Sequence, residues 1–190
     1  MSILDQITTH YKLLLLALVV IFIVFFIYFR YRKNRFSRKI HKQLKCMSYD
    51  MITNIVLDNG LDQYAQFDYL LLTQQGVIVL DVKNYAGHIF GADKIDEWTQ
   101  IIDRKSYKFA NPFFELGHKI ELLKEINKSI DISGLLLFTD DADFPKGCPD
   151  NITNVKMLKD SYPKLAKQEI PIAMQGPWGE IKNKITSTMQ

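Results

Sequence analysis

Gln66-Phe67-Asp68-Tyr69-Leu70-Leu71-Leu72-Thr73-Gln74-Gln75-Gly76-Val77-Ile78-Val79-Leu80-Asp81-Val82-Lys83 is the stretch that decides the fold. Two apolar runs, Tyr69 to Leu72 and Val77 to Leu80, flank a Thr-Gln-Gln-Gly turn. Strands joined by so short a connection pair antiparallel. The hairpin brings Asp68 and Asp81 to one end, and Lys83, two residues beyond Asp81, shares its face. Two carboxylates and an ammonium at one sheet edge suit a metal-dependent phosphodiesterase. Carboxylates hold a hard cation such as Mg²⁺ or Mn²⁺. The lysine orients or deprotonates a water, or offsets phosphate charge. The competing reading is a solvated hairpin end, with Lys83 paired to Asp81 for little energy. The run Val77 to Leu80 has the character of a buried central strand, and sites tend to lie at the ends of such strands.

Working outward, Met51 to Leu57 is expected as a strand and Asn59-Gly60 as a turn. After the hairpin come short strands at His88 to Phe90, Trp98 to Ile102 and Tyr107 to Ala110. Asn111-Pro112 begins a helix, with Asn as cap and Pro in the first turn. Its apolar positions Phe113, Leu116, Ile120, Leu123, Ile126 and Ile130 recur at helical spacing and face the sheet. Gly134 to Thr139 is expected as a buried strand of parallel type. A last strand is placed at Asn154 to Leu158 and a helix from Asp160 to Lys167. The segment from Glu169, with two Pro and two Gly before Trp178, is expected as an irregular arm. Asp140-Asp141-Ala142-Asp143 is expected as a solvated loop. Cys46 and Cys148 have no metal-ligand spacing and are expected as free thiols. No Gly-rich phosphate loop, nucleophile elbow or internal repeat is present.

Leu13 to Phe29 is an unbroken apolar run of seventeen residues. As a helix it spans roughly 26 Å, enough for a bilayer core. Nothing before it makes a signal-peptide n-region, and no small-x-small cleavage site follows. From Arg30 to Lys45 there are eight Lys or Arg and no Asp or Glu. A basic flank of this kind stays on the cytoplasmic side of a membrane. The expectation is a single-pass plasma-membrane protein with its N-terminus outside and its folded domain in the cytoplasm. From Cys46 onward there are fifteen Lys or Arg against twenty Asp or Glu, a net of −5. The basic segment therefore stands apart from an acidic domain. It suits anionic lipid head groups, at about 1 kcal/mol per basic residue, and alternatively a nucleic-acid backbone. The organisation read from the chain is a tail at 1–12, a transmembrane helix at 13–29, a basic segment at 30–45, one domain at 46–168 and an arm at 169–190.

Residues 50 to 125 resemble the nuclease-related domain (NERD), a branch of the PD-(D/E)XK nuclease superfamily. The residues that carry the resemblance are Tyr49-Asp50, Gln66-x-Asp68 and Gly76-Val77-Ile78-Val79, then Asp81-Val82-Lys83-Asn84-Tyr85-Ala86-Gly87-His88-Ile89-Phe90-Gly91, Trp98-Thr99-Gln100, Asn111-Pro112 and Gly117-His118. The resemblance implies a restriction-endonuclease-like α/β core, a mixed β-sheet flanked by helices. It implies Mg²⁺-dependent cleavage of DNA, with Asp68 and Asp81 as metal ligands and Lys83 as the catalytic lysine. Gln66 and Asn84 become second-layer or substrate-side polar groups. The chain departs from the family at three places. Asp81 stands where Glu is usual, and Tyr69 where His often follows the first Asp. The stretch Ser37 to Met47 has no acid where the family carries a Gly-Glu pair in a helix.

Three function classes follow: a membrane-anchored nuclease, a non-catalytic module gripping nucleic acid or protein at the inner membrane face, and a scaffold without a nucleic-acid partner. Metal binding separates the first from the others. Salt-dependent DNA binding without cleavage separates the second from the third.

Overall fold

The computed structural model of the chain describes residues 3–58, 64–158, 162, 164–165 and 168–188. It divides into two units, Met1–Lys42 and Gln43–Gln190. The first unit lies on α1 (Ile3–Cys46), one continuous helix rather than a membrane segment followed by a separate basic helix. Of its apolar run, the side chains from Leu14 to Tyr28 are described, and every large one is exposed, between 48% and 69%. Those of Leu13, Phe29 and Arg30 to Arg35 lie outside the described set. Among the described residues, no helix is long and apolar enough to cross a membrane.

The second unit is built on a five-stranded mixed sheet in the order β1-β2-β3-β7-β9. Its strands are β1 (Asp50–Asp58), β2 (Tyr64–Thr73), β3 (Gly76–Lys83), β7 (Ile132–Phe138) and β9 (Ile152–Asn154). The hairpin expectation holds: β2 and β3 pair antiparallel from Tyr69↔Leu80 to Thr73↔Gly76. The turn closes with the Thr73 hydroxyl donating to the Gly76 carbonyl at 3.0 Å. Gly76 has φ of 112°, and an added Cβ would lie 2.2 Å from the Asp131 carbonyl oxygen. Only glycine serves there. The expected parallel strand is also present, since β7 pairs parallel with β3.

The connection between these parallel strands carries three strands of a second, four-stranded sheet in the order β6-β5-β4-β8, whose last strand, β8, follows β7 in the chain. Its strands are β4 (Gly87–Phe90), β5 (Glu97–Ile102), β6 (Lys105–Ala110) and β8 (Ala142–Asp143). It then carries α2 (Pro112–Ile126), capped by Asn111. The sequence places β4, β5, β6 and this helix start correctly, but Ile130 lies beyond the end of α2. The acidic loop contributes the short strand β8 beside β4.

Helix α2 packs against β7, where Gly134 leaves room for it. A Cβ on Gly134 would come within 2.7 Å of Leu116 and 2.8 Å of Ile120. One core cluster joins Leu116 and Leu123 of α2 to Leu70, Leu72, Val77 and Val79 of the hairpin. Ala65 and Phe67 belong to the same cluster, so the alternation in β2 slips by one between Phe67 and Leu70. Asn54, with φ of 53°, marks the irregularity in the neighbouring strand.

Three expectations near the C-terminus need correction. The last strand ends at Asn154, because the Asn154 side chain accepts from the backbone N–H groups of Lys156 and Met157 and turns the chain. The helix expected over 160–167 lies largely outside the described residues, and the described Lys164 and Leu165 are not helical. The irregular arm is instead a helix, α3 (Ile172–Thr188), with Pro177 inside it. Trp178, Ile181 and Ile185 recur at helical spacing and are buried in the core. The turn expected at Asn59-Gly60 lies outside the described residues.

Asp50 fastens α3 to β1. Its Oδ2 accepts from Trp178 Nε1 and Lys182 Nζ, both at 2.9 Å. Burial pushes the Asp50 carboxyl up, but these donors and the Met51 N–H outweigh it and hold it below 3.8. A carboxylate with a depressed folded pKa adds stability above its unfolded value, and this is lost as pH falls through the folded value. Asp50→Asn should therefore cost about 1–3 kcal/mol at pH 7. The difference from the parent should shrink as pH falls below 3.8. Urea unfolding of both proteins at pH 7 and pH 3 measures it.

Candidate active site

The site forms where the hairpin ladder stops. Past Tyr69↔Leu80 the strands no longer pair, and the Asp68 carboxylate takes over. Its Oδ2 accepts from the backbone N–H of Val82 at 2.7 Å. Asp68 is thus tied to the residue between Asp81 and Lys83, and the structure brings all three together. Asp81, at 1% exposure, is buried. Its Oδ2 accepts from Lys83 Nζ at 3.5 Å. Gln66 is exposed on β2. Asn84 is exposed after β3, and its Oδ1 accepts from the Thr139 hydroxyl at 3.4 Å. Neither reaches the Asp81 carboxylate.

Two further residues complete the cluster, both on α2. Lys119 Nζ lies 2.6 Å from Asp81 Oδ2 and 2.7 Å from Glu115 Oε1. It is only 4% exposed, with its ammonium 5.9 Å from the Phe67 ring centre. Glu115 Oε2 meets Lys83 Nζ at 3.1 Å. One helix-borne carboxylate therefore bridges two lysines, and both lysines converge on one oxygen of Asp81. Sequence reasoning missed Glu115 and Lys119. The available signal was Lys119 on the apolar stripe of Leu116 and Leu123, at spacings of three and four.

Electrostatics fixes the protonation of the outer members. Burial pulls Lys83 down, but the Asp81 and Glu115 carboxylates outweigh it and hold the ammonium above its ordinary value. Burial pushes Glu115 up, while hydrogen bonds from Lys119 and Lys83 bring it below the ordinary glutamate value. Lys83 is consequently a cation at neutral pH. It can donate to water or phosphate, and it is poorly suited to removing a proton.

The donor set also bears on a cation. Asp81 Oδ1 is buried and accepts no hydrogen bond among the described residues. Buried polar atoms are nearly always partnered, so an empty carboxylate oxygen beside Asp68 fits a hard metal. Among the described residues, no group of three or more His, Cys, Asp or Glu is placed to hold one. Two carboxylates with water fit Mg²⁺ better than an all-protein cage does.

An open cleft of about 290 Å³ lies alongside, lined among others by Lys83, Tyr85, Asn111, Phe114 and Glu115. Tyr85 stacks on Phe109 with ring centres 4.3 Å apart, forming part of the wall. Asp68 and Asp81 do not line the cleft. Lys83 and Glu115 connect it to the buried carboxylate.

With this geometry in place, comparison with known proteins is decisive at one level. Residues 31–139, more than half of the chain, match the nuclease-related domain family, NERD. The chain belongs to that family. An uncharacterized protein of Bacillus anthracis is 33% identical over 78 residues. That match covers 41% of this chain and 37% of the relative, so the chain spans well under two thirds of that protein. No solved structure matches the chain significantly. The NERD match ends at the close of β7, while α3 beyond it still packs into the core.

Asn111 sets the height of α2 and with it both helix-borne charges. Its Oδ1 accepts from Phe113 N at 2.9 Å. Its Nδ2 lies within 3.3 Å of the Ala92 carbonyl, 3.0 Å of Asp93 and 2.7 Å of Ile95. Asn111→Ala removes a cap and the amide's bonds to the loop carbonyls, for a loss of about 1–2 kcal/mol. Asn111→Asp keeps the cap acceptor and should lose less. Guanidinium unfolding curves of the two variants give the order.

Proposed function

We propose that this NERD protein is a membrane-anchored, metal-dependent nuclease that hydrolyses DNA phosphodiesters. The observation that carries the reading is the unpartnered, buried Oδ1 of Asp81, whose other oxygen is held by Lys83, a residue that lines the open cleft. In this reading Asp68 and Asp81 hold Mg²⁺ or Mn²⁺. The cation, when bound, supplies a Lewis acid for the phosphoryl oxygen and a water of lowered pKa.

The chain's own residues do the rest. Asp68 is oriented by the Val82 N–H. Asp81 is held by Lys83 and Lys119 through Oδ2, which leaves Oδ1 to act. Lys83 stays protonated and donates to the attacking water or to a non-bridging phosphate oxygen as negative charge develops there. Glu115 holds Lys83 from the cleft side. Gln66 and Asn84, both exposed near the site, contact substrate rather than metal.

The anchor reading rests on the composition of residues 13–29 and the exposed side chains along α1. Seventeen uncharged residues bounded by eight basic ones suit a bilayer crossing with the domain in the cytoplasm. The basic flank then lies against anionic lipid. Replacing Leu18, Ile21 and Val24 by Lys should move the protein from the membrane pellet to the supernatant on fractionation.

A second reading has its own support. With no group of three His, Cys, Asp or Glu placed to hold a metal among the described residues and two ammoniums already on Asp81, a binding module without catalysis is the second reading. Cleavage of labelled single- and double-stranded DNA by the full chain in detergent, with Mg²⁺, Mn²⁺ or EDTA, separates the two. The nuclease reading expects metal-dependent cleavage. Asp68→Asn, Asp81→Asn and Lys83→Ala should each lower it by about a hundredfold or more. Salt-sensitive DNA binding with no cleavage under any metal would favour the binding module instead.

A further inference from the structure

A lysine almost fully buried against an almost fully buried aspartate demands a reason. Charges are kept inside a protein only when paired, since removing them from water is costly. Asp81 has two ammonium neighbours, and they are unequal. Lys83 stands at 3.5 Å with its side chain 17% exposed, while Lys119 stands at 2.6 Å with 4% exposed. Lys119 is thus the principal counter-charge. It comes from a helix whose start is fastened by Asn111 on four hydrogen bonds, so its placement is built in. It also donates to Glu115, which leaves its ammonium little freedom.

Charge counting leads the same way. Asp68, Asp81 and Glu115 against Lys83 and Lys119 leave one negative charge in the cluster. One divalent cation turns that balance slightly positive, and a second would leave a strong excess.

We infer that Lys119 is a positioning residue: its buried ammonium holds Asp81 by Oδ2 in place of metal-borne charge, keeping the domain folded without metal and leaving Oδ1 alone for a single cation. The inference rests on reading Asp81 as a metal ligand. Lys119 weakens metal binding, because it claims one oxygen and adds a like charge nearby, and in return it fixes the carboxylate.

The test uses the full chain in detergent, with Mn²⁺ alone as probe. Unfolding is followed by the fluorescence of Trp98 and Trp178, the two tryptophans of the chain. Mn²⁺ binding is followed by the loss of its free electron-resonance signal. In EDTA, Lys119→Met should melt roughly 10 °C below the parent. Mn²⁺ should raise the variant's Tm more than the parent's, and the variant should bind Mn²⁺ about tenfold more tightly. Lys119→Arg should behave like the parent. If Lys119→Met does not fold even with Mn²⁺, Lys119→Gln, which keeps a donor without the charge, takes its place in the same comparison. Equal Tm shifts and equal affinities in parent and variant would overturn the inference while leaving the metal site standing. Mn²⁺ binding to neither would overturn the metal reading of Asp81, and the inference with it.

Discussion

A carboxylate buried to 1% exposure at the end of a central strand is the constraint that organises this domain. Left alone, a buried charge of this kind costs several kcal/mol of stability, on the order of the desolvation of one ion. The structure answers with ammoniums from two elements, one from its own strand and one from the helix that crosses it. That answer requires α2 to sit close on β7, which is what Gly134 permits. It also requires α2 to start at a set height, which Asn111 supplies through bonds to the loop before β5. Three strands of the second sheet, β4 to β6, are inserted between β3 and α2, so their loops define where α2 begins. Packing of the second sheet is in this sense a condition for the charge arrangement of the first.

What was legible in the sequence follows from how local each feature is. The β2–β3 hairpin is written in adjacent apolar runs and a four-residue turn, and β7 in a continuous apolar strand. The start of α2 is written in Asn111-Pro112. Each needs only neighbours in the chain. Lys119 was not legible because its role depends on Asp81, thirty-eight residues away, and by composition a helix lysine belongs to the solvent face. Helix α3 was missed for the opposite reason. Local signals, Pro177 with Gly176 and Gly179, argue against a helix. Burial of Trp178, Ile181 and Ile185, with Asp50 capturing Trp178 and Lys182, overrides them. The resemblance reached Asp68, Asp81 and Lys83 because it reads positions rather than contacts. For the same reason it was silent about α3, outside the matched span, and about the lysine beneath the site.

The departures from the family pattern bear on the charge at the site. Asp81 has a shorter side chain than the usual Glu, so it sits deeper beside its own backbone, where a counter-charge must come to it. The stretch Ser37 to Met47 supplies no acid. Within the cluster itself, a buried ammonium on Asp81 lowers the metal charge that can be held there.

Such a charge balance bears on where the protein would work. The domain from Cys46 is net acidic, and a polyanion approaches it only where positive charge is local. Concentrated positive charge lies in the basic stretch from Arg30 to Lys45, and at the cleft in the Lys83 ammonium. If the first is engaged by anionic lipid, as the membrane reading has it, the second must receive the phosphate nearly alone. A single partly exposed lysine gives weak ground-state binding, and a metal adds to it only when loaded. Affinity for DNA would then depend on metal occupancy more than on salt-sensitive surface contacts, the reverse of a module that binds through a basic face.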